Sequence, residues 1–288
     1  MEQYINPAIT FQPHYGPVPG RHNGEATEGY TPVLVPENAP LRDLAVGRLR
    51  LAMAAGAYKA DTANRETLLH ILVGQCTIET IGTWGQRIYN NLGERRDVFS
   101  GPSTSIVLGS HTEYTIIPLT PTVDIALVSL PGVADKHELP TVIRPQDVKI
   151  HQIGEGHYAR TVREVLGGNS LPSRIRAGET INPIGLWSSW PHHEFDADPQ
   201  LAPQFEEVFL YFTKPRHGWG LQRRCGLFCN LEQIDDVLLV RNGDAAVLPL
   251  GEHPLVAGVD SQIMYVWFYV SPIPKIYAKW AEDIGGYA

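Results

Sequence analysis

Trp187-Ser-Ser-Trp-Pro-His-His-Glu-Phe-Asp196 sets two histidines among carboxylates at the entrance to a strand, and its reading decides the fold. Outward from it, Phe205-Glu-Glu-Val-Phe209 brings two more carboxylates ahead of an apolar run, and Asn242-Gly-Asp-Ala-Ala-Val-Leu-Pro-Leu-Gly-Glu-His253-Pro254 closes the series. The spacing Gly243-x5-Pro249-x-Gly251-x-His253 describes a strand and tight turn that deliver one imidazole. A divalent ion takes three or four nitrogen and oxygen ligands from different strands, with a position left for water or substrate. Side chains alternate faces along a strand, so ligands on one strand sit two residues apart. By that rule His193 shares a face with residue 195, which is Phe, and Glu207 shares a face with Phe209 and Tyr211 while Glu206 faces the other way.

Composition bounds the partners. A chain of 288 residues that is 43% hydrophobic and 19% charged is globular and long enough for two domains. The 23 basic and 31 acidic residues give a net charge of -8 without a Lys/Arg cluster, which argues against nucleic acid. A small anionic substrate needs only one or two local arginines. No apolar run reaches membrane-spanning length, and the first residues lack a basic start with an apolar core, so no membrane partner is expected. Cys76, Cys225 and Cys229 cannot all pair within the chain and do not form a Cys-x2-Cys knuckle; buried free thiols in a reducing cytoplasm are the expected state.

Residues 1 to about 30 are rich in Pro, Gly and polar groups without helical or strand period, so an extended arm is expected. Such an arm, with Tyr4, Phe11 and Tyr15 as anchors, and edge strands beyond it suit a homo-oligomer. From Tyr30 onward short β-type runs alternate with Gly and Pro: Leu41 to Ala52, Leu68 to Ile81 with a turn at Gly74, Ser105 to Gly109, Tyr114 to Pro118 and Val123 to Leu130. Pro131 to Gln152 reads as a linker. A second series follows at 174–183, 208–213, 220–225, 236–244 and 263–270, and the best helical candidate is 275–283. The pattern indicates an all-β barrel or sandwich, compatible with two copies of one barrel.

The residues become specific in Gly154-Glu-Gly-His-Tyr-Ala-Arg-Thr-Val-Arg163, Gly178-Glu-Thr-Ile, Trp187-Ser-Ser-Trp-Pro-His, Gly220-Leu-Gln-Arg and Gly251-Glu-His-Pro254. On these the chain resembles the 5-deoxy-glucuronate isomerase family of inositol catabolism, over roughly residues 30 to 270. The resemblance implies a bicupin, two tandem β-barrel or jelly-roll domains, with the arm at 1–30, a metal-free first domain at 31–145 and a metal-holding second domain at 146–288. It implies an isomerase that interconverts an aldose acid and a ketose acid such as 5-deoxy-glucuronate with a divalent ion (zinc, manganese or iron). Carried over residue by residue, the ligands fall on His193, Glu207 and His253, while the second histidine of the family's His-x-His pair falls on Phe195.

Three consequences of that departure stay open: the three residues bind metal alone, a bulge at Pro191 turns His192 inward as a fourth ligand, or the metal is lost. Within the second domain, Tyr211 either relays a proton or packs, and Gln222 and Arg223 join Arg224 in a polar cluster whose arginine either clamps a substrate carboxylate or forms a surface ion pair. Glu194, Asp196 and Glu206 are the carboxylates near the site that stand as candidate bases. His70 is read as a core histidine. A mononuclear iron dioxygenase and a non-catalytic sugar-binding bicupin are the rival functions.

Overall fold

The computed structural model describes residues 20–22, 24, 27–132, 139–167, 173–189 and 199–271. Four antiparallel sheets carry nearly all of its regular structure, with only short 3-10 turns beside them. A six-stranded sheet runs in the spatial order Thr141–Ile143, Thr104–Leu108, Arg65–Val73, Thr122–Pro131, Ala45–Ala52, Gly29–Leu34. Against it lies a four-stranded sheet of Tyr58–Asp61, Glu113–Pro118, Cys76–Gly82 and Gly85–Leu92.

The second half repeats this plan. Its seven-stranded sheet runs Arg21–His22, Ala245–Leu248, Glu206–Lys214, Gln262–Val270, Arg176–Asn182, Arg160–Leu166, Lys149–Ile153. Its other wall is Trp187–Ser188, Leu255–Ala257, Trp219–Leu227 and Gln233–Arg241, with Leu250–Glu252 paired to Trp219–Leu227. Numbered from the start of each half, the strands follow one another across the sheets in the same order. The molecule is a bicupin, two copies of one barrel. Among the described residues no helix is long and apolar enough to cross a membrane.

The two halves share their largest core. Val46, Leu68, Leu72, Ala126 and Val128 of the six-stranded sheet pack with Ala177, Val208, Leu210, Phe212, Val266 and Phe268 of the seven-stranded sheet. The strand Glu206–Lys214 is therefore buried on both faces: Val208, Leu210 and Phe212 fill this shared core, and Phe209 and Tyr211 fill the second barrel. A strand buried on both sides must be apolar throughout, as Val-Phe-Leu-Tyr-Phe is.

Two carboxylates fasten the halves reciprocally. Glu206, 1% exposed, accepts the backbone N–H groups of Arg42, Asp43 and Leu44 at 2.8, 3.0 and 3.0 Å, just before the strand Ala45–Ala52. Glu66 accepts the N–H groups of Arg174 and Ile175 and the Ser173 hydroxyl, just before the strand Arg176–Asn182. We expect Glu206→Ala to cost about 2–4 kcal/mol in denaturant unfolding, because it leaves three N–H groups without their acceptor. The same substitution at exposed Glu113 should change little.

Several local expectations change. The stretch expected as a linker contributes Thr141–Ile143 to the first half and Lys149–Ile153 to the second, because its extended backbone pairs with the edge strand of each sheet. Arg21–His22, within the expected arm, pairs with Ala245–Leu248 of the second half. Cys76 alone is fully buried; Cys225 and Cys229 are half-buried. The expected helix at 275–283 lies outside the described residues.

Candidate active site

Strand parity places Glu207, Phe209 and Tyr211 on the inner wall of the second barrel, with Tyr265, Trp267 and Tyr269 on the adjacent strand Gln262–Val270. Phe209 and Tyr265 stack at 4.4 Å between ring centroids, and Trp267 and Tyr269 at 5.7 Å. A Cβ at position 178 would come within 2.1 Å of the Trp267 ring, so Gly178 is what lets this indole lie across its neighbour. Trp267 Nε1 then donates to Thr180 Oγ1 at 3.2 Å. The result is an aromatic wall around one carboxylate.

His253 faces that carboxylate. It follows Leu250–Glu252, where Gly251 has a φ of 136° and a Cβ would meet the Cys225 carbonyl oxygen at 2.4 Å. Glycine alone takes this turn against the neighbouring strand without strain. His253 Nδ1 lies 2.9 Å from the Gly251 carbonyl, which only accepts, so Nδ1 carries the hydrogen. In the neutral ring Nε2 therefore points a lone pair at Glu207 Oε2, 3.8 Å away. The side chains are 1% and 7% exposed. Phe209 packs edge-on to the imidazole at 5.9 Å.

A carboxylate oxygen and an imidazole nitrogen facing each other in a buried wall can share a proton or a metal ion. Ligand distances of about 2.0–2.2 Å allow a shared ion at separations up to roughly 4.2 Å, so the pair fits a divalent metal. Among the described residues no set of three or more His, Cys, Asp or Glu forms a metal-binding group. The other expected ligands, His193 and His192, lie outside the described residues, as do Glu194, Phe195 and Asp196.

Tyr211 and Gln222 hold the His253 turn from behind. Tyr211, fully buried, donates to Gln222 Oε1 at 3.0 Å, and burial pushes its hydroxyl pKa well above the usual value. Gln222 Nε2 donates to the carbonyls of His253 at 2.6 Å and Pro254 at 3.2 Å. Both side chains are thus engaged with protein. Gln222→Leu should remove the Gln222 donor from the buried His253 carbonyl, while Pro254 keeps the Arg223 N–H, costing about 1–2 kcal/mol and loosening the His253 turn. Thermal unfolding reads the first effect and metal titration the second.

Arg223 emerges on the outer face of its strand beside Leu221 and pairs with Glu252 at 3.2 Å and Asp235 at 3.5 Å. Of the two roles left open for an arginine of this cluster, a substrate-carboxylate clamp and a surface ion pair, these contacts are of the second kind. Arg224, fully buried, holds Asp236 through Nε and Nη2 at 2.9 and 2.6 Å. Glu206 is occupied by the backbone of 42–44 and faces away from the inner wall, which removes it as a base. His70 lies in the core shared by the two halves, bonded to Ser105 Oγ at 2.9 Å and to Glu179 at 3.1 Å.

Residues 21–285 match the KduI/IolB family. The chain belongs to that family. It is an isomerase, an intramolecular oxidoreductase, of the KduI/IolB type. The 5-deoxy-glucuronate isomerase of Geobacillus kaustophilus is 28% identical over 219 residues, 75% of this chain and 75% of its own. That of Halalkalibacterium halodurans is 27% identical over 268 residues, 90% and 93% of the two chains. An IolB-like protein from Salmonella typhimurium superposes with a TM-score of 0.78 at 24% identity, over 92% of this chain and 98% of that one. Lactobacillus farciminis oxalate decarboxylase shares the fold at 12% identity, with a TM-score of 0.57 over 90% of each chain.

The KduI/IolB fold also brings residues to the site that carry no motif. Tyr269 is paired across strands with Glu207, and burial, reinforced by that carboxylate, raises its hydroxyl pKa. Arg176 is paired with Tyr269 from the other side. Only the register between distant strands reveals such neighbours, and a single sequence does not contain it.

Proposed function

We propose that this isomerase interconverts an aldose acid and a ketose acid of the 5-deoxy-glucuronate type, at a divalent metal held by His193, Glu207 and His253. The observation that carries the reading is the buried pair of Glu207 Oε2 and His253 Nε2, 3.8 Å apart on the inner wall. The names of the curated relatives support the substrate class. A metal bound there would supply a Lewis acid for the carbonyl and neighbouring hydroxyl of the substrate, where enediolate charge develops.

The chain's own residues set the conditions. Glu207 and His253 present their donor atoms from a strand and a turn fixed by the Tyr211–Gln222 bonds, so little reorganisation is needed on binding. Phe209, Tyr265 and Trp267 lower the local polarity and exclude water, which strengthens every charge interaction at the reacting carbons. The free thiols of Cys76, Cys225 and Cys229 support a reducing, cytoplasmic setting.

The test pairs elemental analysis of the purified protein with NMR of a 5-deoxy-uronate in deuterium oxide. About one divalent ion per chain and deuterium exchange at the carbon beside the carbonyl, without oxygen uptake, are expected. Oxygen consumption would favour the dioxygenase reading, and a metal-free protein that still exchanges would remove the metal from the proposal.

A further inference from the structure

The inner wall of the second barrel has a cation in the same cross-strand row as Glu207. Arg176 stands opposite Tyr269, and Tyr269 stands opposite Glu207. Ala177 belongs to the core shared by the two halves, so by strand alternation Arg176, Gly178 and Thr180 point the other way, into the barrel. Neighbouring strands lie about 4.8 Å apart, which puts the Arg176 and Glu207 backbones roughly 10 Å apart with both side chains directed inward.

The guanidinium is half-buried and oriented. Among the described residues its hydrogen bonds leave from Nη1, to the carbonyls of Ser173 at 2.6 Å and Ile175 at 3.3 Å. That anchors one corner of the fork and leaves the Nε and Nη2 side for a ligand. Among the described residues the other inward cations are placed differently, and Arg21, opposite Ala246, lies 3.6 Å from Asp244. Arg224 is committed to Asp236. Arg160 lies next to Thr161, which pairs with Ile181 and through it with Met264 and Phe212, about 17–20 Å along the strands from the Glu207 row.

A six-carbon acid has its carboxylate about 5–6 Å from the carbonyl and hydroxyl carbons at its far end. That length is comparable with the roughly 10 Å between the two backbones once about 2 Å to a metal and about 3 Å to a guanidinium are allowed for. We propose that Arg176 receives the substrate carboxylate and thereby sets a preference for sugar acids over neutral sugars. This rests on the function proposed above. Arginine matches a carboxylate through two parallel N–H donors, which a lysine point charge does not reproduce. Tyr269, paired with both, adds a hydroxyl between the two ends. Among the described residues the other carboxylate on this wall, Glu164, sits 4.0 Å from the Lys149 ammonium and 3.4 Å from the His151 ring.

The test compares wild type, Arg176→Ala and Arg176→Lys with 5-deoxy-glucuronate and with 5-deoxy-glucose, which has the same carbon chain without the acid. In Arg176→Ala the acid's KM is expected to rise about 100-fold or more while kcat changes less than tenfold, and the acid-over-neutral preference is expected to collapse. Arg176→Lys should recover only part of the loss. Equal weakening of both sugars, or an unchanged KM for the acid, would overturn the assignment. Titration calorimetry of the acid on the same variants reads the carboxylate contact without turnover. If wild type isomerises neither sugar, the proposed reaction fails, and the calorimetry still decides: lost binding in Arg176→Ala supports the contact and unchanged binding refutes it.

Discussion

Glu179→Gln is expected to lower the unfolding free energy by about 3–5 kcal/mol, which is a large share of a domain's total stability. Glu179 is fully buried in the core between the halves and receives Arg95 at 2.6 Å, Arg163 at 3.1 Å and His70 at 3.1 Å. Arg95 and Arg163 also donate to the carbonyls of Leu72, Val98 and Gly101, so these guanidinium groups cannot swing to solvent when the counter-charge is removed. Glutamine keeps the shape and takes away the charge, leaving two buried cations uncompensated. Urea unfolding at pH 7 should show a lower midpoint with an unchanged slope.

The same cluster makes the fold acid-labile. Burial alone would raise the Glu179 pKa, but Arg95, the His70 hydrogen bond and Arg163 outweigh it and hold the carboxyl at about 2, below the ordinary 4.5. Its stabilisation is complete above pH 4.5 and is lost as pH falls through 2. Burial also lowers the His70 pKa below 6.5, only partly offset by Glu179, so protonation of His70 opposes folding as pH drops below that value. Both groups act in one direction. Wild-type stability should fall from pH 7 to pH 3, and the Glu179→Gln profile should be flatter.

Glu207→Gln and His253→Ala should each cut turnover about 1000-fold or more, since a metal's stabilisation of enediolate charge is worth several kcal/mol and each tenfold is about 1.4 kcal/mol. The fold should survive. Glu207 is a buried carboxylate beside an imidazole at 3.8 Å, a pairing that serves chemistry better than stability. Melting temperatures of the apo-proteins within a few degrees of wild type, together with the lost activity, would separate this pair from the structural carboxylates Glu179 and Glu206.

Strand patterning made much of the fold legible. The turn at Gly74, the apolar run after Glu207 and the long β-type run ending at Val270 all stand as strands where their alternation or β-branched content indicates. Gly85–Leu92 escaped because Gln-Arg-Ile-Tyr-Asn-Asn is mostly exposed at a sheet edge and has no apolar face to read. Arg21–His22 is too short to carry a pattern. The repeat of strand order between the halves is likewise invisible in the residues, since packing constrains pattern more than identity.

At the site, parity correctly separated Glu207 from Glu206, because a strand buried on both faces still alternates. It also separates Arg223 from Gln222 and Arg224, once the barrel wall shows which face is inner. Arg176 and Tyr269 required the lateral register of three strands, which loops of unlike length set.

The most direct measurement of the metal claim is anomalous diffraction from crystals grown with a divalent transition metal. A peak within about 2.3 Å of both Glu207 Oε2 and His253 Nε2 is expected. A map without a peak there, with those two side chains bonded directly to each other at full metal loading, would contradict it.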